Sequence, residues 1–320
     1  MLSRVAESLY WMARYLDRGE NTARLINSTT QVLLDLPAKA SFGWHVLIKV
    51  AGLDDDFGKR YPQANEDAIV RFLVSDEENP GSVISSIRNA RENARTVREV
   101  LPMELWERIN SLYLYVRENG SRALIGRGPR EQVLSGVIDR RESITGLFTG
   151  SMSRDVAYQF IMLGRNLERA DMSTRIIDVN SALQVSGDSA IAAVTIQRAW
   201  VSTLNALSAF QMYRNQVGVR VRGHDVVEFL LKDPRFPRTV NFCFGEIEDS
   251  LASLPDNQNA IKQVREAKRR LNEMSFKGLS LPEMHEYLDQ VQADIGAIHT
   301  GIARQYFNQL PSHEAQSVNQ

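Results

Sequence analysis

One thirteen-residue pattern occurs twice in this chain. Arg14 to Ile26 reads RYLDRGENTARLI, and Arg165 to Ile177 reads RNLERADMSTRII, at a constant offset of 151 residues without a gap. The shared form is R-x-L-[DE]-R-[GA]-[ED]-x-[ST]-x-R-[LI]-I. A pattern of that length repeated in frame constrains the architecture before any single residue does, because each copy must serve an equivalent place in an equivalent unit. The expected fold is all-α, an elongated helical bundle of two tandem, diverged helical repeats at residues 1–150 and 151–308, followed by a polar tail at 309–320.

Both copies read as helix. Residues 3 to about 36 form one continuous segment, with apolar or small residues at positions 2, 5, 9, 13, 16, 23 and 26 spaced for one helical face. Ser3 is expected to cap its start and Pro37 to end it. Glu20 falls inside the apolar stripe, and Asp171 takes the matching place in the second copy. A carboxylate on a core face must be paired, protonated or wet, because burying it alone costs several kcal/mol. Arg24 and Arg175, four residues on, are the partners within reach along each helix.

Further correspondences follow at an offset of 157. Phe72 aligns with Phe229, Asp76 with Asp233, Pro80 with Pro237 and Val83 with Val240. In each copy a short helix ends, a Pro-containing turn follows, and Ser82 or Thr239 is placed to cap the next helix. Helices are also expected near 42–51, 103–118, 131–149, 256–275 and 283–300. Residues 54–62 and 120–129 read as loops, and Arg214, Arg220 and Arg222 as a local basic loop. The copies diverge after the cap. Residues 84–101 carry RNARENARTVRE, with Arg91 on the apolar face and Arg88–Glu92 and Arg95–Glu99 spaced as helical ion pairs. The second copy has FGEIEDSLASLP there, about one turn shorter and without arginine.

Composition excludes several function classes. The net charge of −1 provides no field that would recruit nucleic acid. No run approaches the ~20 apolar residues of a membrane helix, and the N-terminal segment is interrupted by charge, unlike a signal peptide. A cytoplasmic chain with no nucleic-acid or membrane partner is expected. The single cysteine, Cys243, lies in an apolar NFCF run and reads as core. None of His45, His224, His285, His299 and His313 sits in a metal-ligating spacing, and GRGP at 126–129 lacks the lysine of a phosphate loop. No metal and no cofactor are expected.

The segments MLSRVAESLYWMARYLDRGENTARLI, ARENARTVREVLPMELWERIN and LGRNLERADMSTRIIDV, taken in order, resemble the bacterial alpha-E domain family, named for its glutamate–arginine motifs. The resemblance covers about residues 1–308. It implies an all-helical protein from a family whose members are encoded beside, or fused to, circularly permuted ATP-grasp ligases and transglutaminase-like proteins. Those two proteins are its implied partners, in a peptide-forming or peptide-modifying pathway; a homo-oligomer is left open. Gly19 departs from the small Ala more usual in the family and present here at Ala170.

The candidate site residues are Arg14, Arg18, Glu20, Arg24, Arg91, Glu92, Arg95, Arg165, Arg169, Asp171 and Arg175. Two readings of them stand. They form a buried ion-pair network that fixes helix register, or they line a polar pocket in which arginine forks hold carboxylate or phosphate and an acid holds an amine. The first reading suits a non-enzymatic scaffold and the second a helical enzyme or small-ligand-binding protein.

Overall fold

A computed structural model describes residues 1–35, 43–178, 189–276 and 278–307. The described residues form fourteen α-helices and no strand. The first series is α1 (Ser3–Asp35), α2 (His45–Ala51), α3 (Asp54–Gly58), α4 (Glu66–Val74), α5 (Val83–Thr96), α6 (Met103–Asn119) and α7 (Arg127–Ser151). The second is α8 (Val156–Asp178), α9 (Ser189–Ala206), α10 (Phe210–Gln216), α11 (Gly223–Lys232), α12 (Val240–Ala252), α13 (Gln258–Glu273) and α14 (Leu281–Tyr306).

Helices α1 and α8 form the most extensive interface. Tyr10 meets Gly164, Arg14 meets Glu168 and Asp17 meets Arg169, so the two helices run in the same direction with the repeated motifs nearly level. The remaining contacts recur at matching places. Helix α1 packs on α5 and α7, and α8 packs on α12 and α14; α6 joins α5 to α7 as α13 joins α12 to α14. Helices α9 and α2 cross over, α9 lying on α1 and α2 on α8.

This central position explains the burial of α1. Leu9, Ala13, Leu16, Ala23 and Ile26 are fully enclosed, as the periodicity requires, and each large apolar side chain so buried contributes about 1.5–3 kcal/mol. Covered on several faces at once, the helix also buries Arg14, Asp17, Glu20 and Arg24. Residues of both series share one continuous apolar core.

Local chemistry sets most boundaries. The Ser82 hydroxyl accepts from Ser85 N at 3.2 Å to open α5, and that of Thr239 accepts from Phe242 N at 3.2 Å to open α12. Ser280 and Glu283 close a reciprocal capping box on α14. Some expectations are corrected. Ser3 is the first helical residue and not the cap, since the Leu2 carbonyl already accepts from Val5 and Ala6. Residues 54–58, expected as loop, form α3, because Phe57 packs on Tyr61 and Phe72. The stretch 120–129 holds a 3-10 turn, Gly120–Leu124, and the start of α7. Helix α5 ends at Thr96, and Arg98–Val100 forms a separate 3-10 turn before Pro102. Pro37 and the tail at 309–320 lie outside the described residues.

Candidate functional site

The repeated motif supplies two acids that face each other across the α1–α8 seam, Asp17 and Glu168. Their environments differ. Glu168 is fully buried and accepts three charged hydrogen bonds, from Arg14 Nε at 2.7 Å, Arg18 Nε at 2.5 Å and Arg18 Nη2 at 3.0 Å. Aromatic rings close this end. The Arg14 guanidinium lies 4.9 Å from the Trp11 ring and that of Arg18 5.5 Å from Tyr15, while Tyr10 Oη pairs with His299 Nδ1 at 2.7 Å. Burial alone would raise the Glu168 pKa, but Arg14 and Arg18 outweigh it and pull the value down to about 2.

Asp17 is equally buried, yet one of its oxygens has no hydrogen-bond donor among the described residues. Its other oxygen accepts from Arg141 Nη2, on α7, at 2.7 Å, and Arg169 Nε stops 3.8 Å short of the free one. The side chain is one methylene shorter than glutamate. By the symmetry of the motif Arg165 and Arg169 would serve Asp17 as Arg14 and Arg18 serve Glu168, but the shorter acid does not reach them.

Glu20 lies beside Asp17 and is 1% exposed. Its Oε1 accepts from Arg24 Nε at 2.8 Å and from Arg238 Nη2 at 2.5 Å, and Arg141 Nε approaches its other oxygen to 4.0 Å. Burial raises its pKa, but Arg238, Arg141 and Arg24 together hold the carboxyl well below the usual range. Arg24 also donates to Glu142 at 2.7 Å and to the Ser208 hydroxyl at 2.9 Å. Ser208 holds a positive φ of 53°, a backbone state costly for a residue with a Cβ.

Arg165, Arg169 and Arg238 line a cavity of about 230 Å³ with Glu20, Glu142 and Ser208. Arg165 makes no hydrogen bond or ion pair with any described residue, and its Nε is buried. Among the described residues Arg169 donates only to the Pro237 carbonyl, at 3.3 Å, and its Nε has no acceptor. Burial, with Arg165 and Arg238 close by, overcomes the attraction of Asp17 and pushes the Arg169 pKa down to about 10; burial and Arg141 likewise lower that of Arg165.

The remaining candidates lie elsewhere. Asp171 is half-buried and pairs with Arg175 at 3.0 Å, along its own helix. Arg91, Glu92 and Arg95 form a separate cluster on α5. Arg91 reaches Glu92 at 2.5 Å and Asn110 at 2.6 Å, over the rings of Trp106 and Tyr113, and is not a partner of Glu20. The expected Arg88–Glu92 and Arg95–Glu99 pairs do not form. Arg95 takes Glu92 at 2.8 Å and Arg88 takes Glu77 at 2.7 Å, because the end of α5 at Thr96 removes Glu99 from the helical register.

Two buried arginines of the network, Arg141 and Arg238, were not among the sequence candidates. Arg141 sits within an Arg140–Arg141 pair that reads as a solvated face. Arg238 had a signal: at the offset of 157 it aligns with Gly81, immediately before the cap, so one copy carries an arginine where the other carries no side chain. Cys243 is core, as expected, its thiol pushed up to about 12 by burial. Among the described residues no group of acids, histidines or cysteine is placed to hold a metal, and no helix is long and apolar enough to cross a membrane.

With this geometry in view, comparison with known proteins is informative at the level of family. A curated, uncharacterised protein of Mycobacterium bovis is 25% identical over 312 residues, covering 91% of this chain and 34% of that protein. Uncharacterised proteins from two strains of Mycobacterium tuberculosis match to the same extent. The chain therefore spans about a third of the length of these relatives. No solved structure matches it. Residues 1–307 match the model of Alpha-E, described as a predicted alpha-helical domain with a conserved ER motif, and the chain belongs to that family.

Proposed function

We propose that this chain is a non-enzymatic helical partner of an ATP-grasp-type peptide ligase, serving a peptide-modifying system as scaffold, substrate presenter or regulator. The observation that carries the reading is modularity. Residues 1–307 correspond to one family unit, and the mycobacterial relatives contain that unit within chains about three times as long. Such a unit works alongside other sequence. The chemistry of the buried cluster supports the same reading. Glu20 and Glu168 are committed to arginines that hold them ionised, so they are poor proton donors and weak bases near neutrality.

The test uses the purified chain with a purified circularly permuted ATP-grasp ligase from the same source. Sedimentation velocity is expected to show a complex of fixed stoichiometry, with ATP consumed only when the ligase is present. Turnover of ATP with peptides or amino acids by this chain alone would overturn the proposal. A second reading, a small-ligand-binding protein using a buried Arg/Glu pocket, is favoured by the cavity beside Glu20 and Arg238.

A further inference from the structure

The cavity between α1, α7, α8 and the turn before α12 has more positive charge than its acids use. Five guanidinium groups, of Arg24, Arg141, Arg165, Arg169 and Arg238, meet three carboxylates, of Asp17, Glu20 and Glu142. Glu246 on α12 feels Arg165 and Arg169 but pairs with neither. The excess is two positive charges, and the two arginines least engaged line the cavity: Arg165, without a hydrogen bond or ion pair among the described residues, and Arg169, 95% buried, its Nε 3.8 Å from Asp17 and without a hydrogen-bond acceptor. The Nε of Arg141, fully buried just behind them, also lacks an acceptor. A protein interior pairs its buried polar groups, and here two guanidinium nitrogens beside the cavity, with a third behind them, have no hydrogen-bond acceptor among the described residues.

We propose that this cavity is a binding site for a phosphoryl dianion, with Arg165 and Arg169 as its principal ligands and Arg238 at its edge. The inference rests on the ligand-binding reading of the pocket and is independent of any partner protein. The charge selects the ligand. An excess of two positive charges is neutralised by a dianion, whereas a monocarboxylate leaves one in excess. Planar guanidinium forks also match phosphate oxygens in paired hydrogen bonds. The size agrees: the opening of about 230 Å³ has room for a group larger than a bare phosphate. A small phosphate monoester or acyl phosphate therefore fits better than the free ion. Glu142, at the rim and 60% exposed, disfavours a longer polyanion.

The experiment is calorimetric titration and thermal melting of the full chain with inorganic phosphate, at ionic strength held constant with sodium chloride, with acetate and glutamate as parallel arms. The expected result is one-site heat and a saturable rise in Tm for phosphate. Arg165→Met is expected to abolish both without lowering the unliganded Tm, because it removes a charge that has no hydrogen-bond or ion-pair partner among the described residues. Arg165→Lys, which keeps the charge but not the fork, is expected to raise the phosphate Kd at least tenfold and provides the same readout if the methionine variant does not fold. Binding of glutamate or acetate without binding of phosphate would overturn the dianion assignment and leave the pocket reading standing. Binding of none of them would overturn both. Retention of the full phosphate response in Arg165→Met would remove the site from this cavity.

Discussion

The two copies of one motif have become two different kinds of charged site. Around Glu168 the acid is fully served: two arginines under aromatic cover give it three hydrogen bonds that leave neither oxygen free. Around Asp17 and Glu20 a carboxylate oxygen and three guanidinium nitrogens have no hydrogen-bond partner among the described residues, and a cavity opens. The origin of the difference is small. Aspartate for glutamate shortens one acid by a methylene, and arginine for glycine at position 238 against 81 adds a cation. A saturated ion pair in a dry interior holds geometry, while an unsaturated one in a cavity has capacity for a ligand.

The largest effect that tests this contrast is at the saturated site. Glu168→Gln leaves the buried Arg14 and the half-buried Arg18 without a counter-charge and is expected to cost about 3–5 kcal/mol in urea unfolding. A loss below 1 kcal/mol would show that the pair does not hold the α1–α8 seam. Next comes the seam itself. A Cβ at Gly164 would fall on the Tyr10 carbonyl, whereas one at Gly19 would meet the Ile87 side chain at 2.7 Å, which can turn aside. Gly164→Ala is therefore expected to destabilise by about 3 kcal/mol, the upper end for overpacking, and Gly19→Ala by less than about 1 kcal/mol. Equal melting temperatures for the two variants would contradict the close parallel packing.

Acid should weaken the saturated site in a defined window. The folded pKa of Glu168, about 2, lies below its ordinary 4.5, so its contribution is complete above pH 4.5 and is lost as pH falls toward 2. Urea midpoints measured across that range should decline, and Glu168→Gln should flatten the decline. The smallest effect is expected at Asp171. Its pair with Arg175 is half-exposed and lies along one helix, so Asp171→Asn should change stability by no more than about 0.5 kcal/mol. A loss comparable to that at Glu168 would mean that the pair along one helix is as tightly committed as the pair across the α1–α8 seam.

Much of this was legible from residue order. The spacing of Leu9, Ala13, Leu16, Ala23 and Ile26 gave the buried face of α1, the Ser82 and Thr239 caps gave the starts of α5 and α12, and the i,i+4 pairs Glu20–Arg24 and Asp171–Arg175 form as spaced. Each of these rests on local periodicity or on groups within one turn of each other. Arg91, Glu92 and Arg95 misled because an arginine on a helical face is equally compatible with a buried partner and with a surface ring stack, and here Trp106 and Tyr113 on α6 decided for the ring stack.

The sequence by itself determined that the chain is helical, that its charged motif is duplicated, and where most helices begin, since propensity, capping and periodicity act over a few residues. Only the tertiary structure decided which acid meets which arginine. The pairs Arg14–Glu168, Arg141–Asp17 and Arg238–Glu20 join residues 154, 124 and 218 positions apart. Ion pairing carries no sequence spacing of its own. It is fixed by how closely α1 and α8 approach at Gly164 and by a side-chain length that differs by one methylene.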